Sequence, residues 1–203
     1  MKLQVIFLFL FALLIQVRPS LAQCSISEQI DIPDLSPVTA NFIVEGSTNP
    51  DLDGTQGVCG IYLEFEHQQV GDLTIDLTSP SGQSITLIGP SGSFGNTSFT
   101  DWEVLFVPCG SAGSPDVGFS ETWNNDQPWG ILGEYSGSYH PYLGCLENFD
   151  QGSINGIWSL QILDNALFDL GVLRDATIFF CDDSGLDCNI CEADPGEFES
   201  NEI

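Results

Sequence analysis

The chain has 203 residues, with 29 acidic residues against only three lysines and arginines, which gives a formal net charge of −26. This balance argues against nucleic acid and anionic membrane surfaces as partners, because almost nothing on the chain can neutralise phosphate. Cations are the natural counterparts of such a surface, although a solvated acidic surface accounts for the same composition.

Residues 1–22 have the pattern of a secretory signal peptide. Lys2 supplies the positive end, the stretch from Leu3 to Val17 is apolar, and Ser20, Leu21 and Ala22 form a small-x-small cleavage site. Removal of this segment leaves one positive charge, on Arg174, against 29 negative charges, a mature net charge of −28. We therefore predict a secreted or extracellular protein.

Membrane attachment is not expected. No other apolar stretch approaches the length of a spanning helix, so we predict no membrane insertion. A lipid anchor at Cys24 is the competing interpretation of the N-terminal region. The glutamine before that cysteine stands where a small residue is wanted, so cleavage after Ala22 is the preferred interpretation.

Seven cysteines follow the cleavage site, and in an exported chain we expect disulfides rather than bound metal. Cys109 and Cys145 bracket a long segment, and a bridge between them would limit its freedom in the unfolded chain. Cys59 and Cys181 flank predicted strands and are a second possible pair. Spacing alone leaves the connectivity open and one cysteine without a partner, and the Cys188–Cys191 spacing is interpreted as structural.

The segment from Asn49 to Gly54 copies the first half of a calcium loop, with Asn49, Asp51 and Asp53 at alternate positions before the glycine. These three residues are the predicted metal ligands, with Ca²⁺ as the ion. The glutamate expected six residues after the glycine is missing, since that position is Gly60. A turn in which the Asn and Asp side chains hydrogen-bond to their own backbone explains the same residues. Three other aspartates at predicted turns are alternative ligands: Asp72, Asp164 and Asp169.

Strands predominate along the chain. After short strands near Ile30 and from Val38 to Val44, apolar and polar residues alternate from Gly60 to Gly89 in three runs, which predict an antiparallel meander. Ser79–Gly82 has the composition of a turn between the last two. Further alternation occurs at 102–107, 157–163 and 176–180. About seven to nine short strands with no convincing amphipathic helix predict an all-β fold, a β-sandwich.

The segment 108–150 has no sustained period, and we expect it to be an ordered excursion from the sandwich. Five aromatic residues in it require packing partners: Trp123, Trp129, Tyr135, Tyr139 and Tyr142. The same side chains, with the polar residues 124–127, could instead form a platform that stacks on glycans. We favour the packing role, because a sugar site would rest only on analogy with other proteins of similar fold.

The last segment, 182–203, is acidic, is interrupted by Pro195 and Gly196, and has no period, so we predict a linker or tail. The predicted organisation is a signal peptide at 1–22, one sandwich domain at 23–181 and this tail. The residues up to Ile203 show no feature that marks the end of a protein, so the sequence is compatible with a fragment of a longer protein.

Two ordered motifs carry a family resemblance. His67, Gly71-Asp72-Leu73 and Ser79–Gly82 resemble the H-T-x-x-G-D-L and S-P-x-G signature of the P domain, also called the P/Homo B domain. Farther on, Gly156-Ile157-Trp158-Ser159-Leu160, Asp164 and Gly171-Val172-Leu173 resemble its closing pattern. The resemblance covers about residues 30 to 181. Gln68 in place of threonine, the extra cysteines and the long segment after Val107 depart from it.

The resemblance implies a jelly-roll sandwich of the galactose-binding kind and an association with subtilisin-like serine endopeptidases, whose catalytic domain the P domain follows and stabilises. Catalysis by this chain is not expected, because a triad needs a base and only His67 and His140 are available, without a recognisable nucleophile segment. We predict a non-catalytic module that stabilises or attaches catalytic or adhesive domains of a larger secreted protein. A carbohydrate- or cell-surface-binding adhesive module is the alternative.

Overall fold

The computed structural model of the protein describes residues 23–89, 97–110, 121–125 and 133–188. The predicted signal peptide, Trp129 and Cys191 lie outside these residues. Within them the chain forms eleven strands and two short 3-10 helices, Val70–Asp72 and Leu146–Asn148. The strands are β1 (Gln23–Ile26), β2 (Ile30–Ile32), β3 (Val38–Val44), β4 (Val58–Gln69), β5 (Leu73–Thr78), β6 (Ser84–Ile88), β7 (Thr97–Phe106), β8 (Glu121–Thr122), β9 (Glu134–His140), β10 (Gly156–Asp164) and β11 (Gly171–Phe180).

The strands form two sheets packed face to face, so the predicted all-β sandwich is confirmed. One sheet has the order β1-β11-β4-β7-β9-β8 with β2 also paired to β11, and the other has the order β3-β10-β5-β6. Alternation places one side of each strand in the core. In β10, for example, Trp158, Leu160 and Ile162 are fully buried while Gln161 is exposed. The strand count exceeds the predicted range because β1 and β8 are too short to show a period and β9 lies in a segment that shows none.

The predicted meander is wrong in one respect, because β4 and β5 belong to different sheets. The 3-10 helix Val70–Asp72, with Val70 and Gly71 buried, carries the chain from one layer to the other. Only β5 and β6 form a hairpin, around the predicted turn, where Gly82 has a φ of +86° and its N–H donates to the carbonyl of Ser79 at 2.9 Å. A left-handed φ of this kind favours glycine.

Part of the long excursion joins the larger sheet. Strand β9 pairs in parallel with β7, from Asp101 opposite Glu134 to Phe106 opposite Tyr139. Two strands that pair in parallel must be joined by a long connection, and the segment that follows β7 is long enough to provide one. Strand β9 was not predicted from the sequence, because its residues show no sustained period.

Three disulfides link the layers and their connections: Cys24–Cys188, Cys59–Cys181 and Cys109–Cys145. The last two were the pairs considered from the sequence. The first uses the sulfur of Cys24 that a lipid anchor would need, which counts against that interpretation. It also ties down part of the predicted tail, where the backbones of Glu45 and Asp187 exchange two hydrogen bonds of 2.8 Å. Residues 182–188 therefore pack on the sandwich and are not a free linker.

No helix within the described ranges is long and apolar enough to cross a membrane.

Candidate functional site

The family motif residues His67 and Asp164 meet in the interior at one end of the sandwich. His67 lies near the end of β4 and Asp164 is the last residue of β10, and both side chains are fully buried. The Nε2 atom of His67 is 3.2 Å from Oδ2 of Asp164, and Oδ1 of Asp164 accepts a hydrogen bond from the Ala166 N–H at 2.9 Å. Each carboxylate oxygen thus has a partner, as burial of a charged group requires.

The second nitrogen of the ring is also engaged. Nδ1 of His67 lies 2.8 Å from the Gln69 carbonyl oxygen and 3.1 Å from the Gln69 nitrogen. A neutral ring that donates from Nε2 to Asp164 accepts the Gln69 N–H at Nδ1, whereas a protonated ring donates to the carbonyl. Neither nitrogen is offered to a serine, so the arrangement does not form a nucleophile–base pair.

Gly171 explains another part of the motif. A Cβ atom at this position would lie 2.2 Å from Cδ2 of His67 and 2.9 Å from the Glu66 carbonyl oxygen. The start of β11 therefore passes directly over the buried imidazole, at a distance that only glycine permits. His67, Asp164 and Gly171 together link the end of β4 to β11 in the same sheet and to β10 in the other sheet.

Three half-buried aspartates surround this end of the sandwich: Asp34, Asp72 and Asp169. The Asp72 and Asp169 carboxyl groups lie close enough for each to influence the pKa of the other. Burial and the neighbouring charge of Asp169 raise the pKa of Asp72. Burial also raises the pKa of Asp169, with Asp164 and Asp34 adding to the effect against the opposing influence of His67. The acids repel one another, so a cation or a basic group brought near them would be attracted.

Four exposed apolar side chains lie beside these acids: Leu35, Leu167, Phe168 and Leu170, which we call the apical patch. Leu35 stands in the turn before β3, and the others lie in the loop 165–170 between β10 and β11. These residues were not predicted as a site, although the apolar run Ala166-Leu167-Phe168-Asp169-Leu170 in a predicted turn indicates an exposed apolar surface.

The family comparison matches residues 59–180 to the proprotein convertase P-domain, and these residues include His67, Asp164 and Gly171. The chain belongs to this family. The match covers more than half of the sequence and confirms the resemblance inferred from the two motifs.

Two solved structures of Aeromonas sobria serine protease are similar to this P domain. The first, a complex of the protease with a chaperone, has a TM-score of 0.41 and 14% identity, and covers 85% of this chain and 28% of that chain. The second, the protease described without the chaperone, has a TM-score of 0.38 and 16% identity, with 81% and 28% covered. This chain thus spans little more than a quarter of those proteases. A comparison with curated proteins finds no match.

The predicted calcium ligands of this P domain lie on the connection between β3 and β4, at the opposite end from His67. The amide nitrogen of Asn49 donates to Oδ2 of Asp182 at 3.1 Å. Oδ1 of Asp53 accepts hydrogen bonds from the Thr55 hydroxyl at 2.8 Å and its N–H at 3.2 Å, which lower the pKa of Asp53. Asp51 is exposed. The calcium site stays a prediction, and the turn interpretation accounts for Asp53.

Among the described residues, the potential ligand atoms of at least three histidine, cysteine or acidic side chains converge only at Cys109, Cys145 and Glu147. The two cysteines form a disulfide there, and the carboxylate of Glu147 accepts hydrogen bonds from the N–H groups of Cys109 and Gly110 at 3.0 and 2.6 Å. This cluster therefore has a structural explanation.

The aromatic residues of the excursion that the structure describes mostly serve packing, as favoured from the sequence. Trp123 is 1% exposed, and its ring meets Tyr139 edge-on with 5.1 Å between centroids. Its indole N–H donates to Asn125, whose amide group donates in turn to the carbonyls of Val70 and Gly89. A buried Trp123 cannot stack on a sugar, and Trp129, the other tryptophan of the suggested glycan platform, lies outside the described residues.

Proposed function

We propose that this P domain is a secreted, non-catalytic module that stabilises or attaches the catalytic domain of a subtilisin-like serine endopeptidase. Membership of the proprotein convertase P-domain family is the observation that carries this proposal. The three disulfides support an oxidising, extracellular location, since such bonds persist outside the cytosol.

The geometry of the family motif favours a module that stabilises another domain. Three family motif residues lie at this end of the sandwich: His67, Asp164 and Gly171. They contact one another and the neighbouring backbone. They hold the ends of three strands and so keep the adjoining loops in place. A rigid scaffold that presents loops is suited to binding another protein domain.

A capture experiment tests the proposal. The mature chain, residues 23–203, is immobilised through its N-terminus, and secreted proteins of the source organism are labelled with a fluorophosphonate probe that reacts with active serine hydrolases. We expect a labelled subtilisin-like endopeptidase to be retained, to be displaced by free mature chain, and to survive heating longer when the free chain is present.

Two results would contradict the proposal. Retention of no labelled endopeptidase would remove the partner, whereas labelling of the purified chain itself, with peptide cleavage, would show that the module is catalytic. A glycan array probed with the same chain supplies the comparison with the adhesive alternative, and specific glycan binding without endopeptidase binding would favour that alternative.

A further inference from the structure

The apical patch is an apolar surface that the described fold leaves exposed to solvent. Leu35 is 53% exposed, Leu167 53%, Phe168 87% and Leu170 65%, and these are four of the seven large hydrophobic residues that are exposed in the described part of the chain. Single exposed apolar residues are ordinary, but a group on one surface marks an interaction site.

The two segments that carry the patch are fastened to the sandwich and to each other. Oδ2 of Asp34 accepts the Phe168 N–H at 2.9 Å, and the Leu35 N–H donates to the Asp164 carbonyl at 3.1 Å. The Gln68 N–H donates to the Leu170 carbonyl oxygen, and the Leu170 N–H donates to Oε1 of the Gln68 side chain, each at 3.0 Å. The apolar side chains are therefore held outward by an ordered backbone.

The backbone of the patch also stores strain. Phe168 has a φ of +76° and Leu35 a φ of +52°, and these are the two non-glycine residues with positive φ in the described structure. Such a conformation is unfavourable for a bulky residue and persists where the surroundings enforce it. The two strained residues are both members of the patch.

The negative charge beside the apical patch limits the kinds of partner that can bind there. Asp34, Asp72 and Asp169 lie beside the patch, and the mature chain has a single basic residue. A second copy would bring the same acids face to face, and an anionic lipid surface would be repelled. A protein surface with an apolar pocket edged by lysine or arginine complements both features.

The ends of the domain leave this surface free. Gln23 pairs with Phe179, and Cys24, which is bonded to Cys188, pairs with Ile178, so both ends of the described domain lie near the end of β11. The apical patch adjoins Gly171 at the start of β11, roughly 25 Å away at the rise of a strand. Both ends of the described domain therefore lie at the opposite end of the sandwich from the apical patch.

We propose that the apical patch is the face on which this P domain docks to the endopeptidase catalytic domain, with Phe168 and Leu170 as its anchors in a basic-edged apolar pocket. This inference rests on the proposed function and names the surface that performs it.

The test compares the double variant Phe168→Ser, Leu170→Ser with the matched controls Leu143→Ser and Ile157→Ser, whose residues are 66% and 55% exposed away from the patch. Affinity for the captured endopeptidase is measured by interferometry. We expect the double variant to bind at least about 30-fold more weakly, as loss of interface anchors does, and the controls to change by less than about threefold. Equal melting temperatures confirm that every variant is folded.

A charge reversal is the second arm. Asp169→Lys should weaken binding by about tenfold at low salt and less at high salt, because it removes an attraction to the basic edge. Unchanged affinity of the double variant, with wild-type binding intact, would overturn the docking face and leave the proposed function standing. Failure of the wild type to bind any endopeptidase removes both. Patch-dependent dimerisation or binding to neutral phosphatidylcholine vesicles, in place of endopeptidase binding, would also overturn the inference.

Discussion

Replacement of Asp164 tests whether the family motif of this P domain is a hydrogen-bond network that stabilises the fold. Asp164 and His67 are both fully buried, and their side chains are 3.2 Å apart. Asp164→Ala leaves the Nε2 atom of His67 without its partner and removes the acceptor of the Ala166 N–H. Each buried polar group left without its hydrogen bond costs about 1–3 kcal/mol, and more where the lost partner is a charged group, so the two losses together should cost at least about 3 kcal/mol.

Asp164→Asn should be much milder because the geometry allows the network to survive. The amide oxygen can still accept from Ala166, and the amide nitrogen can donate to Nε2 if the ring proton moves to Nδ1. The Gln69 carbonyl oxygen, 2.8 Å from Nδ1, is placed to accept that proton. We expect a loss of roughly 1 kcal/mol for Asn, against at least about 3 kcal/mol for Ala, out of a total stability of about 5–15 kcal/mol.

Urea unfolding followed by tryptophan fluorescence measures the two losses, and the ¹⁵N shifts of the His67 imidazole report the tautomer. We expect the protonated nitrogen to change from Nε2 to Nδ1 in Asp164→Asn, and Ser159→Ala, at a part-exposed position of the same strand, serves as control. Equal losses for Ala and Asn, or an unchanged tautomer in the Asn variant, would refute the proposed network.

Three further results are expected. The Cys109→Ala, Cys145→Ala variant should lose about 4 kcal/mol of unfolding free energy in urea, the entropy of closing a loop of 36 residues, and an unchanged midpoint would contradict this estimate. Because the pKa values of Asp72 and Asp169 are raised in the folded state, their contribution to stability is greatest in acid and falls as the pH rises from about 4 through the raised values. Asp72→Asn should therefore raise the unfolding free energy by about 1 kcal/mol at pH 7 and by almost nothing at pH 3, and a gain independent of pH would discard the charge argument. If the predicted calcium site exists, saturating Ca²⁺ should stabilise by about 3 kcal/mol and raise the melting temperature, chelation should reverse this, and Asp51→Ala should weaken it; no shift would dismiss the site.

Strand positions were predictable where burial on one face imposes a period of two. Trp158, Leu160 and Ile162 face the core of β10 as their alternation indicates. Which strands pair with each other was harder to predict, because the local sequence does not indicate whether the chain turns back within one sheet or crosses to the other sheet. The 3-10 helix after β4 carries the chain to the other sheet, and β9 pairs with β7 although the segment that contains β9 shows no period.

The sequence by itself indicated the family and the all-β class, because motif spacing and alternation are local properties of the chain. It also suggested two disulfide pairs that form, without settling the connectivity, and favoured structural roles for His67 and Trp123. Only the tertiary structure brought Leu35 beside the loop of Phe168 and set Asp72 against Asp169. Whether an apolar residue in a turn is covered or exposed depends on which distant segments pack over it, and that information lies in no short stretch of sequence.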